Sequence, residues 1–129
     1  MEREILFRGK RTNNREWIVG SFFDYCGIPN ILSKGSCTVH HVIPETVGQF
    51  TGKTHKSGVK IFEGDIVEYT NKDGTKARYV IEWNEVLSAW VAKWTDGEGH
   101  MNLTALVCEY MEIIGNIHDN PELLNGTES

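Results

Sequence analysis

At 129 residues, with 40% hydrophobic and 24% charged side chains, the chain has enough apolar material for one compact domain or two small interlocked ones, and it lies far from disordered compositions. Its net charge of -5 argues against a general polyanion binder, because phosphate affinity accumulates from Lys and Arg. No apolar run approaches the roughly 20 residues that cross a bilayer, and the charges spaced through residues 1–8 break up any signal-peptide core, so a cytoplasmic protein without membrane contact is expected.

Turn signals divide the chain into short pieces. Glu4 to Arg8 alternates, the polar run Arg11-Thr12-Asn13-Asn14 follows, and Trp17 to Phe23 resumes an apolar pattern, which predicts a β-hairpin. Residues 24–36 have loop composition, with Gly27, Pro29, Asn30 and Gly35 and a brief extended piece at Ile31-Leu32. Cys37 to Ile43 reads as a strand stopped by Pro44, and Glu45 to Gly52, too glycine-broken for a helix, as a structured connection. Lys60–Phe62, Asp65–Thr70, Thr75–Asn84, Leu87–Thr95 and Glu112–His118 are five strand candidates with barrel-like spacing, and Asp73-Gly74 supplies the positive φ angles of a tight hairpin. Met101 to Tyr110 breaks the alternation and suits one helical turn. Asn120-Pro121-Glu122-Leu123-Leu124 carries an N-cap and a first-turn Pro, with a frayed tail at 125–129.

The expected architecture is therefore mainly β: an N-terminal β-hairpin subdomain over 1–58, a small barrel over 59–124 and a short C-terminal helical turn. Cys26, Cys37 and Cys108 are an odd and sparse set that suits reduced, buried thiols. Residues 1–60 carry nine basic and five acidic groups and residues 61–129 four and thirteen, a net of +4 against -9. Such a split favours attraction within the chain, head-to-tail contact between copies, or a local basic face for a partner; a solvated surface of uneven composition looks the same.

Four ordered stretches resemble the phage and prophage YopX family. They are Arg3 to Arg11 with Glu16-Trp17-Ile18-Val19-Gly20, Pro44 to Gly52, Ile61 to Val67, and Ile114-Gly115-Asn116-Ile117-His118 with Asn120 to Leu124. They span nearly the whole chain. The departures are Phe50 and Phe62 where the family often has tyrosine, and His55-Lys56-Ser57-Gly58 where an Asp-Lys-Asn-Gly turn is common. The resemblance implies a mostly β protein with an SH3-like C-terminal barrel, encoded by phages or prophages. It implies no activity and carries over no site residue.

Each candidate site has a bland counterpart. Glu63-Gly64-Asp65 pairs two carboxylates about a glycine, as an acid–base pair or cation site does, and equally makes a turn in which Asp65 accepts a backbone N–H. Cys26, Cys37 and His40, with His41 alternating to the other face of a strand, are the best imitation of a zinc site, although the spacing is unlike the tight pairs of zinc modules. Trp83, Trp90 and Trp94, with Tyr69 and Tyr79, concentrate aromatic surface for stacking bases or holding peptides, or fill a core. Lys10, Arg11 and Arg15 gather near Asn13 and Asn14 as a polyanion contact or a solvated turn.

No hydrolase elbow, phosphate loop, metalloprotease pair or dinucleotide fingerprint occurs, so no catalytic residue is assigned, no cofactor is expected and a non-enzyme is favoured. The leading expectation is a non-enzymatic accessory module that binds a host or phage protein and self-associates. The alternatives are a nucleic-acid binder using the basic hairpin and the aromatics, disfavoured by the acidic total, and a small metal-dependent enzyme.

Overall fold

A computed structural model describes residues 4–124, apart from the side chain of Leu106; Arg3 and the tail expected at 125–129 lie outside the described residues. The fold is mainly β. In chain order the strands are β1 Phe7–Lys10, β2 Trp17–Tyr25, β3 Ile28–Ser33, β4 Val39–His41, β5 Gly48–Thr54, β6 Lys60–Phe62, β7 Asp65–Thr70, β8 Lys76–Asn84, β9 Ala89–Trp94, β10 His100–Asn102 and β11 Glu112–Asn116. A 3-10 turn Pro44–Thr46 precedes β5, the helical turn α1 Ala105–Tyr110 precedes β11, and a second 3-10 turn spans Pro121–Leu124. Two antiparallel sheets result, ordered β4-β3-β2-β1-β5-β6 and β10-β9-β8-β7-β11. The chain forms two compact units, Met1–Gly52 and Lys53–Ser129.

In the first unit the β1–β2 hairpin is present as its pattern predicts, registered by Phe7 opposite Gly20 and Lys10 opposite Trp17. The loop expected over 24–36 is instead the hairpin of β2 with β3, in which Ile31 pairs with Phe22. Its two-residue turn uses Cys26 at φ 53° and Gly27 at φ 84°, the left-handed pair that a right-twisted hairpin demands, and Asp24 Oδ1 accepts the Gly27 N–H at 2.9 Å. Cysteine is an unusual occupant of that conformation, which is why the turn is hard to see in sequence. The connection expected over 45–52 likewise becomes strand from Gly48, with Gln49 opposite Phe7 and the Phe50 N–H donating to Leu6 O at 2.8 Å. The chain beyond β4 returns to β1: Arg11 bridges Val42, and Ile43 N–H donates to Lys10 O at 2.8 Å. Leu6, Ile31, Val42 and Phe50 are buried there. Gly20 is obligatory, since a Cβ on it falls 1.8 Å from Leu32 O.

In the second unit β7 to β9 and β11 fall close to their expected ranges, β10 is an additional strand, and α1 falls inside the expected 101–110. The barrel expected over 59–124 is an open sheet: β6 belongs to the other sheet, and β10 and β11 are the two edges among the described residues. Alternation along the strands puts Val67, Ile81 and Ala92 on one face, where Leu103, Val107 and Met111 cover them. Buried His55, which opens the His55-Lys56-Ser57-Gly58 turn, ties this unit together. Its Nδ1 accepts the Ser57 N–H at 3.1 Å, as an aspartate carboxylate does in an Asx turn, and its Nε2 donates to Met111 O at 2.8 Å.

Candidate protein-binding pocket

The face that carries the second unit's core continues past it toward the β7–β8 turn. Tyr69 lies opposite Ala77, and Val67 opposite Tyr79. Burial is complete at Val67 and Ile81 and falls away at Tyr79 and Tyr69. Met101 on β10 shares a row with Ala92 and Ile81 and so projects to the same face. Tyr110 and Met111, at the end of α1, supply the opposing wall. Together with Asn71 these side chains enclose a concavity of about 470 Å³.

Three phenols, two thioethers, one methyl and one carboxamide line it, with no charged group. Asn71 Nδ2 donates to Thr75 Oγ1 at 2.8 Å, which fixes its orientation. Such a lining offers polarizable apolar surface, with three phenol hydroxyls and one carboxamide as its polar side-chain groups. Burial raises the pKa of the nearby Cys108 thiol, with Glu109 adding and Lys53 opposing, so this buried cysteine stays a thiol.

The residues singled out in sequence are distributed otherwise. Trp83 stands opposite Trp90 and Tyr79 opposite Trp94, so all four share a face. Trp83 and Trp90 meet edge to face at 5.2 Å, whereas the Trp94 ring abuts Gly97 and lines a separate hollow of about 360 Å³ with Val80, Glu82 and Lys93, residues of the opposite strand parity. Lys10 is buried with its ammonium 5.5 Å from the Trp17 ring centroid, and Arg8 lies over the same ring at 4.7 Å. Arg11 is half-buried in its bridge, and exposed Arg15, at φ 60°, donates its N–H to Arg11 O at 2.9 Å in the same turn. Cys26 and Cys37 lie in the turns at opposite ends of β3, about 20 Å apart by strand length, and both are exposed rather than buried as expected. His40 and His41 sit on β4, where His41 Nδ1 meets Asn30 Oδ1 at 2.6 Å. No group of three potential metal ligands occurs among the described residues.

Glu63-Gly64-Asp65 is a turn: Gly64 has φ 92° and buried Asp65 accepts the Phe62 N–H at 2.8 Å. Asn116 is likewise a structural knot. Its Oδ1 accepts from His118 and Asp119, and Asn120 Oδ1 accepts the Asn116 N–H at 3.2 Å rather than capping the helix it precedes. A Cβ on Gly115 would lie 2.4 Å from that oxygen, so the glycine makes room for the knot.

The YopX protein family model matches residues 6–125. The chain belongs to the YopX family. Among curated proteins none matches. The crystal structure of protein EF1440 from Enterococcus faecalis is similar over 96% of this chain and 100% of that one, with 26% identity and a TM-score of 0.62. The YopX stretches map onto parts of β1, β2, β5, β6, β7 and β11 and the turns beside them, and all seven residues that line the pocket lie outside them. Strand parity aligned Tyr79 with Trp83, and the register of β7 against β8 brings Tyr69 to the same face. Nothing in sequence placed the end of α1 across from them, because that contact depends on how the helical turn packs.

Proposed function

We propose that this YopX chain is a non-enzymatic phage or prophage accessory protein that works in the host cytoplasm by binding a protein through the pocket of its second unit. The observation that carries this reading is the Tyr–Met lining without a charged side chain, the composition enriched where protein surfaces meet and repack. A short-stranded antiparallel sheet with an adjoining helical turn supports an SH3-like role, in which a tyrosine-walled groove holds an extended segment. Among the described residues no helix is long and apolar enough to cross a membrane.

Affinity capture from phage-bearing host cells, followed by titration of the purified partner, tests the proposal. The wild type and a Trp94→Ala variant are expected to retain a common protein that Tyr69→Ala and Tyr110→Ala lose. A recovered set identical for wild type and pocket variants overturns it, as does a wild type that retains nothing above control.

A further inference from the structure

The face of the second sheet opposite its core carries the separate hollow of about 360 Å³. Val80 and Lys93 are direct cross-strand partners there, and Glu82, opposite Val91, shares their parity. Glu82 and Lys93 are therefore diagonal neighbours on one face, about 7–8 Å apart between Cα atoms. Ile117 and Leu124, from the chain after β11, join Val80 as the apolar wall of the hollow. Among the described residues neither Glu82 nor Lys93 takes part in an ion pair or a side-chain hydrogen bond, whereas Arg78, two residues before Val80 on the same face, is held by Glu68 at 3.0 Å. A carboxylate and an ammonium that line one concavity without satisfying each other are complementary to a ligand that brings both charges.

We propose that this hollow binds a small zwitterion, a free α-amino acid with an apolar side chain. Glu82 receives the α-ammonium, Lys93 receives the α-carboxylate, and the ligand side chain lies against Val80, Ile117 and Leu124. The volume is at the lower end of small-molecule sites, which suits an amino acid rather than a large cofactor. A ligand with a single charge leaves one protein charge in the hollow without a partner, so both ends of the zwitterion are read. Exposed Asp96 and Glu98 flank Gly97 at the rim, and exposed Glu122 stands two residues before Leu124. This acidic surround disfavours a ligand that carries a carboxylate alone, so the ammonium end is the more stringently required. The site is independent of the Tyr–Met pocket, which lies on the core face of the same sheet.

Titration of isotope-labelled protein with leucine, leucinamide and N-acetylleucine, followed by amide chemical shifts, tests the assignment. Leucine is expected to shift the Val80, Glu82, Lys93 and Ile117 amides saturably at millimolar concentration. Leucinamide, which lacks the carboxylate, should bind about tenfold more weakly, and N-acetylleucine, which lacks the ammonium, more weakly still. Lys93→Met should weaken leucine binding about tenfold and leave leucinamide binding unaltered, whereas Glu82→Gln should weaken both. Neither side chain has a protein partner to lose, so both variants should keep the wild-type circular dichroism spectrum. Tyr110→Ala, in the other pocket, should leave leucine binding unaltered. No saturable shift with leucine, leucinamide bound as tightly as leucine, or a Lys93→Met variant that weakens both ligands equally overturns the inference.

Discussion

In the first unit main chain meets main chain at Gly20, where a Cβ would fall 1.8 Å from the Leu32 carbonyl oxygen. In the second unit side chains fill the space between sheet and helical turn, with Ile61, Val67, Ile81, Val107 and Met111 buried together. The contrast separates two kinds of sequence constraint. A backbone approach tolerates one residue type at one position, whereas a filled core tolerates any set of side chains of suitable volume. It also accounts for where functional surface arises. A sheet face that is filled only to Tyr79 leaves the residues beyond it, Tyr69 and Tyr110, to line a pocket.

Substitutions that act on one unit only would break or sharpen this contrast. Gly20→Ala should have the largest effect, about 3 kcal/mol or more, because the obstructing atom is a backbone oxygen that cannot move aside. Hydrogen exchange is expected to accelerate over β1 to β5, and a variant as stable as wild type would remove the backbone-approach account. Ile81→Ala should cost about 2–5 kcal/mol from a fully buried site, with faster exchange confined to β7 to β11. Uniform acceleration over both sheets would instead mean that the two units unfold as one.

Asn116→Ala removes the acceptor for two N–H groups and the amide that donates to Asp119 Oδ2, and should cost about 1–3 kcal/mol in urea unfolding. Thiol labelling gives a smaller and more local readout. Cys26 and Cys37 are expected to react promptly in the native state and Cys108 only on unfolding. Because burial raises the folded Cys108 pKa above its ordinary 9.0, the unfolded thiol ionises first, so this contribution to stability is complete below 9.0 and lost as pH climbs through the folded value. The smallest effect belongs to Asp73, whose pKa is lowered by the Thr75 hydroxyl and N–H. Its contribution is present above pH 3.8 and lost as pH falls through the depressed value, and an acid titration of Asp73→Asn should lack that component.

Local rules were sufficient for much of the chain. The polar Arg11 to Asn14 run and the period-two patterns of β7 to β9 each specify their own element, and the Asp73-Gly74 turn forms with positive φ at Gly74 alone, Asp73 instead accepting the Thr75 N–H through its side chain. The same rules counted Tyr69 and Tyr79 in one aromatic concentration, and the register of β7 against β8 put them on one face. They missed β3 because a cysteine holds the left-handed turn position, and β5 because two glycines weaken a strand whose stability comes from pairing with β1. Which sheet β6 joins, that Lys10 turns its ammonium onto Trp17, that Cys26 and Cys37 are parted by the length of β3, and that Tyr110 faces Tyr69 across a cavity were all decided by tertiary packing. Pairing partners and cavity walls are chosen by contacts between residues tens of positions apart, and no local pattern records those distances.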